Sequence, residues 1–187
     1  MRITNAQLRA RFLNPAMHAY FRKKLPDLPR AELDARIEET LKFLVISRYC
    51  TGPIPVTKDI DDVWHYWILE TKEYVALCGA LETGEFIHHT SNQYLEYFQD
   101  ERQESEDLLL GVRMLATYVE NFGSFEQDRT RYWLLADFLC SKRDWSVQDL
   151  NEWLTSCPSG PRASADIYHV PIHEIPVQAA SCLILAS

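Results

Sequence analysis

Hydrophobic positions between Arg30 and Cys50 fall at Leu33, Ile37, Leu41, Leu44 and Val45, close to the helical period, and predict a long core helix. Upstream, Thr4 to Leu13 has a short amphipathic pattern that breaks at Asn14-Pro15. Pro15 then suits the first turn of a second helix, Ala16 to Leu25, with Met17, Tyr20 and Phe21 on one side. Pro26 and Pro29 form the linker to the long helix, and Thr51-Gly52-Pro53-Ile54-Pro55 ends it. Thr57 is the expected N-cap of a central helix reaching about Leu81, with Asp59, Asp61 and Asp62 in its first turns, where the helix dipole favours negative charge. Gly84 supplies its stop. A helical turn or two is expected at Asn92–Phe98, and an acidic start at Asp100–Asp107 opens a helix running to about Asn121. Phe125 to Leu139 reads as one further helix, and Ser146 caps a last one, Val147 to Thr155.

From Cys157 the pattern changes. Residues 157–187 carry four prolines and three acidic or basic residues, with no helical period; short alternation around Ile167–Val170 and Ile172–Ile175 fits an extended strand or a flexible tail. The expected fold is therefore all-α, a single helical bundle of about seven helices over residues 1–156, with an extended C-terminal segment over 157–187. No repeat of solenoid length occurs.

Composition narrows the function. A chain of 187 residues, 47% hydrophobic, is long enough for one well-buried core and short for two. Six glycines and the lack of G-x-G-x-x-G or G-x-x-x-x-G-K-[ST] argue against nucleotide binding by phosphate loops. A net charge of −8 argues against nucleic acid. The charge is uneven: residues 1–50 hold ten Lys/Arg against five Asp/Glu, so the remainder is strongly acidic. The N-terminal helices are expected to dock on that acidic body or to meet an acidic partner. Five widely spaced cysteines, Cys50, Cys78, Cys140, Cys157 and Cys182, without a C-x-x-C pair, fit reduced thiols in a cytoplasm. No apolar leader follows Met1, and no run of 18 apolar residues predicts a membrane span.

The chemistry concentrates between Asp61 and His89. At about 100° per residue, Asp61, His65, Ile68, Leu69 and Lys72 share one face of the central helix, and Trp64, Trp67, Thr71, Tyr74, Val75 and Cys78 share another. Asp61 and His65 stand four apart, so the carboxylate can accept from the imidazole and fix its tautomer. His88 and His89 follow a turn and the apolar pair Phe86-Ile87, which can fold back toward the helix start. Asp61, His65, Cys78, His88 and His89 offer the carboxylate, imidazole and thiolate donors that zinc or iron takes. Cys78 lies about 220° around the helix from His65, so an intact helix cannot aim both at one ion. Adjacent His88 and His89 diverge in extended chain, so one of them is expected to converge with Asp61 and His65. A purely structural reading uses the same residues, with Trp64, Trp67, Tyr74 and Cys78 as core and Asp61–His65 bonded to the returning loop. A nucleophilic pair of Cys78 with His88 or His89 is chemically possible, but no oxyanion donor is evident. His169, His173 and Glu174 form a further, smaller metal-type group.

The string D-x-x-W-H-x-x-I-L-x-T-x-x-Y-x-x-x-C, followed by G-x-F-I-H-H, resembles a signature of bacterial proteins of unknown function related to the plant glycine-rich-domain-protein-like family. Asp61, Trp64, His65, Leu69, Thr71, Tyr74, Cys78, Gly84, Phe86, His88 and His89 fall on its positions, over about a fifth of the chain from Pro55 to His89. The plant-like version reads W-H-x-H; Trp67 stands here where its second histidine would be, so a His-x-His pair is absent. The resemblance implies family membership and no activity.

The expected function is a cytoplasmic, non-enzymatic binding or accessory protein acting with another protein, and with neither nucleic acid nor membrane. Its polar cluster at Asp61, His65, His88 and His89 is suited to zinc or iron. The competing class is a metal-dependent enzyme built on Asp61, His65 and His88 or His89.

Overall fold

The computed structural model describes residues 2–49, 56–82, 84–89 and 104–156, with side chains from 110 onward in the last stretch. Eight α-helices and no strand occur among the described residues, as an all-α bundle requires. Local signals in the sequence account for the first helices. In α1 (Asn5–Phe12) the Thr4 hydroxyl accepts from Gln7 N–H while the Gln7 side chain accepts from Thr4 N–H, a reciprocal cap of two orphan donors. In α2 (Pro15–Lys24), Pro15 occupies the first turn and Asn14 accepts from Met17 N–H at 2.8 Å.

Helix α3 (Arg30–Ser47) is the axis of the molecule. It packs against α1, α2, α4 (Lys58–Leu69) and α6 (Glu104–Phe122). Leu33, Ile37, Leu41 and Leu44 are buried as the period predicts, and so are Phe43 and Ile46 on other sides. A helix covered on several sides must bury polar positions too, and α3 buries Glu38, Glu39, Thr40 and Lys42. Their charges are answered internally. Lys42 Nζ lies 2.7 Å from Glu39 Oε1 and 2.8 Å from the Tyr118 hydroxyl; Trp133 Nε1 donates to Glu39 at 2.8 Å. Arg129 Nη1 sits 3.0 Å from Glu38, which also pairs with Arg9. Burial holds the Tyr118 phenol well above its usual range, with the Glu39 charge adding to the effect.

The expected helix over 57–81 is two helices. Glu70, at φ −91° and ψ 67°, separates α4 from α5 (Thr71–Ala80), and its N–H turns back to the Trp67 carbonyl. The second face stays in the core across the break: Trp64, Trp67, Tyr74 and Cys78 are buried, while Thr71 and Val75 of that face are exposed, and so is Leu69. Thr57 precedes α4 as expected, but its hydroxyl donates to the Tyr132 carbonyl at 3.0 Å and does not cap the helix.

The expected helix over Phe125–Leu139 is also shorter. Asn151 takes both backbone groups of Phe125, at 2.8 and 3.0 Å, and Thr57 takes that of Tyr132, so side chains satisfy groups a helix would have used. The segment becomes a loop, a 3-10 turn at Thr130–Tyr132 and helix α7 (Leu134–Lys142). Ser146 and Asp149 cap α8 (Val147–Ser156) reciprocally. Helices α6, α7 and α8 pack on one another beside α3. The readings made for Asn92–Phe98, for Asp100–Gln103, and for 157–187 with His169, His173 and Glu174 lie outside the described residues, as do Cys50, Cys157 and Cys182. Cys78 and Cys140 are free thiols.

Candidate metal centre

Two elements meet at the outer end of α4. Asp59, Asp61 and Asp62 enter its first turns, and two of these carboxylates are engaged elsewhere: Asp59 with Arg36 at 2.6 Å, Asp62 with Lys58 at 2.6 Å. Asp61 is aimed differently. Its Oδ1 lies 2.9 Å from His89 Nε2 and its Oδ2 lies 3.3 Å from His65 Nδ1. His65 Nδ1–H also donates to the Asp61 backbone carbonyl at 2.9 Å, since a carbonyl can only accept. That assignment leaves His65 Nε2 with its lone pair free.

The loop Gly84–His89 does double back to the helix start. Gly84 turns the chain at φ 67°, in the left-handed region that suits glycine. Tyr74 then fastens the return: its hydroxyl donates to the Ile87 carbonyl at 2.7 Å and accepts from Trp64 Nε1 at 2.9 Å. Burial is the main cause that raises the Tyr74 phenol above its usual range; Trp64 pulls it down and Cys78 pushes it up. Arg48 adds a second tie, donating to the carbonyls of Cys78, at 3.3 Å, and of Glu85. The rings close the arrangement. His89 packs edge-on against Trp64, with centroids 4.6 Å apart, and against His65 at 4.2 Å.

One ligand atom from each of Asp61, His65 and His89 lies within 4.8 Å of the others. Two ligands of one ion at about 2.0–2.2 Å are at most about 4.4 Å apart, so the trio would close on a first-row cation with small side-chain adjustments. Two imidazoles and one carboxylate suit zinc or iron. The His89 side chain is 15% exposed, Asp61 32% and His65 49%, so the group opens outward.

Of the twin histidines, His89 converges. His88 turns away, its ring 5.0 Å from Phe86 and exposed to solvent, outside the convergent trio. Cys78 is a buried thiol beside Tyr74, and the contacts of His88 and His89 are with Phe86, Asp61, Trp64 and His65. No thiol–imidazole pair occurs among the described contacts. Trp64 and Tyr74 are core residues as expected, but the hydrogen-bond chain from Trp64 through Tyr74 to Ile87 has no counterpart in the sequence reading. The available signal was their spacing, ten apart between the two histidine-bearing segments, each with a polar head that a buried ring must satisfy. Arg48, the C-cap residue directly after α3, likewise has no counterpart in the sequence reading. No protein-family model, no curated protein and no solved structure matches this chain.

Proposed function

We propose that the protein is a cytoplasmic binding or accessory protein that holds one zinc or iron ion at Asp61, His65 and His89. The observation that carries this reading is the convergence of the three ligand atoms within 4.8 Å. The acidic balance and the net charge of −8 favour a protein partner over nucleic acid, and no helix among the described residues is long and apolar enough to cross a membrane. The ordered loop behind His89 supports the metal site further, because outer hydrogen bonds that fix a ligand's orientation raise affinity.

A second reading, a metal-dependent enzyme, draws on the 49% exposure of His65. Three protein ligands on an open rim would leave positions for water or substrate, as catalytic sites do and closed structural sites do not. Metal analysis of protein purified without a histidine tag tests both. One equivalent of zinc or iron is expected, lost in a His65→Ala variant that keeps its helical circular dichroism. Metal-free protein whose stability is indifferent to zinc and to chelator would overturn both readings. For the accessory role, a native pull-down should enrich a defined protein partner.

A further inference from the structure

A cavity of about 240 Å³ is lined by residues of α3, the start of α4, α6, the 3-10 turn and the start of α7, none of them a residue of the metal centre. It is independent of the metal reading. Its inner wall is Phe43, Ile60, Met114 and Leu115, all core residues. Such a wall offers water no partners.

The polar groups nearby are already committed. Tyr132 and Trp133 line the space, but the Trp133 N–H is spent on Glu39 at 2.8 Å and the Tyr132 hydroxyl on Glu32 at 3.1 Å. Behind them the carboxylates are neutralised, Glu39 by Lys42 and Glu32 by Arg36, each at 2.7 Å. A charged ligand would meet no charged side chain among the lining residues.

Gly111 lies among the lining residues, where a Cβ would stand 3.1 Å from Leu135 Cδ2, so α6 and α7 approach closely there. Native interiors retain few voids larger than a water molecule, and an empty apolar void lowers stability. Apolar cavities of about 150 Å³ take benzene. Val56, partly exposed, and Leu134, exposed, stand where the lining meets the surface. From the volume, the apolar wall and the pinned polar groups, we propose that this cavity is a binding site for an uncharged apolar group, a single aromatic ring or a short alkyl chain.

Thermal denaturation of the whole chain with toluene, 1-hexanol and benzylammonium tests this. Toluene and hexanol should raise Tm progressively with concentration, as binding to the folded state requires, and benzylammonium should not. Ile60→Phe and Val56→Phe, which fill the interior and the mouth, should each abolish the rise; Val56 is partly exposed, so that variant keeps the test available if Ile60→Phe does not fold. Magnetisation transfer from the toluene methyl to the Met114 methyl should be seen in the wild type. No rise with either neutral ligand, an equal rise in the filled variants, or an equal rise with benzylammonium would each overturn the proposal.

Discussion

Two groups of charged side chains can be compared within this molecule. Around Glu38 and Glu39 the carboxylates are buried and meet Arg9, Lys42, Arg129 and the Trp133 N–H inside the protein. Around Asp61 the carboxylate sits on the rim, and its ion-pair partners are two imidazoles. The inner group is satisfied by fixed cations and has no use for a ligand. The outer group has donors of the metal-binding kind, lacks a fixed cation among those partners, and faces water. Buried carboxylates met by guanidinium and ammonium groups mark a structural network; two imidazoles converging on a rim carboxylate mark a site.

The comparison breaks most sharply at Glu39. Removing one partner of a buried pair strands the others, so Glu39→Gln should lose about 3–5 kcal/mol in urea denaturation. Asp61→Asn on the rim should lose under about 1 kcal/mol when metal is absent. Similar losses at both positions would erase the distinction.

Metal reverses the order of interest. Zinc at about a hundred times its Kd should stabilise the wild type by about 2.7 kcal/mol, and should leave Asp61→Asn and His89→Ala unchanged. His88→Ala should respond as the wild type does, because His88 stands outside the trio. Differential scanning calorimetry with and without chelator reads all four proteins.

Tyr74→Phe sharpens the picture of support. The variant leaves the Ile87 carbonyl and the Trp64 N–H without their bonds, at a cost of about 1–3 kcal/mol. It should also weaken cobalt binding by about 10–100-fold, with an altered visible cobalt spectrum, if the hydroxyl sets where His89 stands. Equal cobalt affinity in Tyr74→Phe would show that the loop holds without it.

The smallest effect expected is with pH. Burial works to raise the Glu32 carboxyl, but hydrogen bonds from Arg36 and Tyr132 and the charges of Arg131 and Arg36 outweigh it, and its pKa is lowered from 4.5. A lowered folded-state pKa stabilises the protein above the ordinary value and ceases to do so as pH falls through the folded value. The gap in stability between wild type and Glu32→Gln should therefore be full near neutrality and shrink below pH 4.5. A gap that stays constant to pH 3 would show that the ion pairs contribute nothing.

The sequence carried the fold class and the pairing of Asp61 with His65, because helical periods and i,i+4 spacing are local facts; the return of His89, 28 residues on, rested on the expected turn at Gly84. It could not show the break at Glu70, since Leu69, Glu70 and Thr71 include no glycine or proline to announce one. Nor did it show the loop before α7, whose backbone is satisfied by Asn151 and Thr57 from far along the chain. The burial of Glu38, Glu39 and Lys42 was legible only to a reading that noticed apolar residues on more than one side of α3.

Those interior charges also bear on which arrangement the chain adopts. Rotating α3 by a single position would swing two carboxylates and an ammonium toward hydrocarbon and away from Arg9, Arg129 and Tyr118. A greasy helix tolerates such slippage; this one does not. Its charges act as notches that admit one register and penalise every neighbouring one.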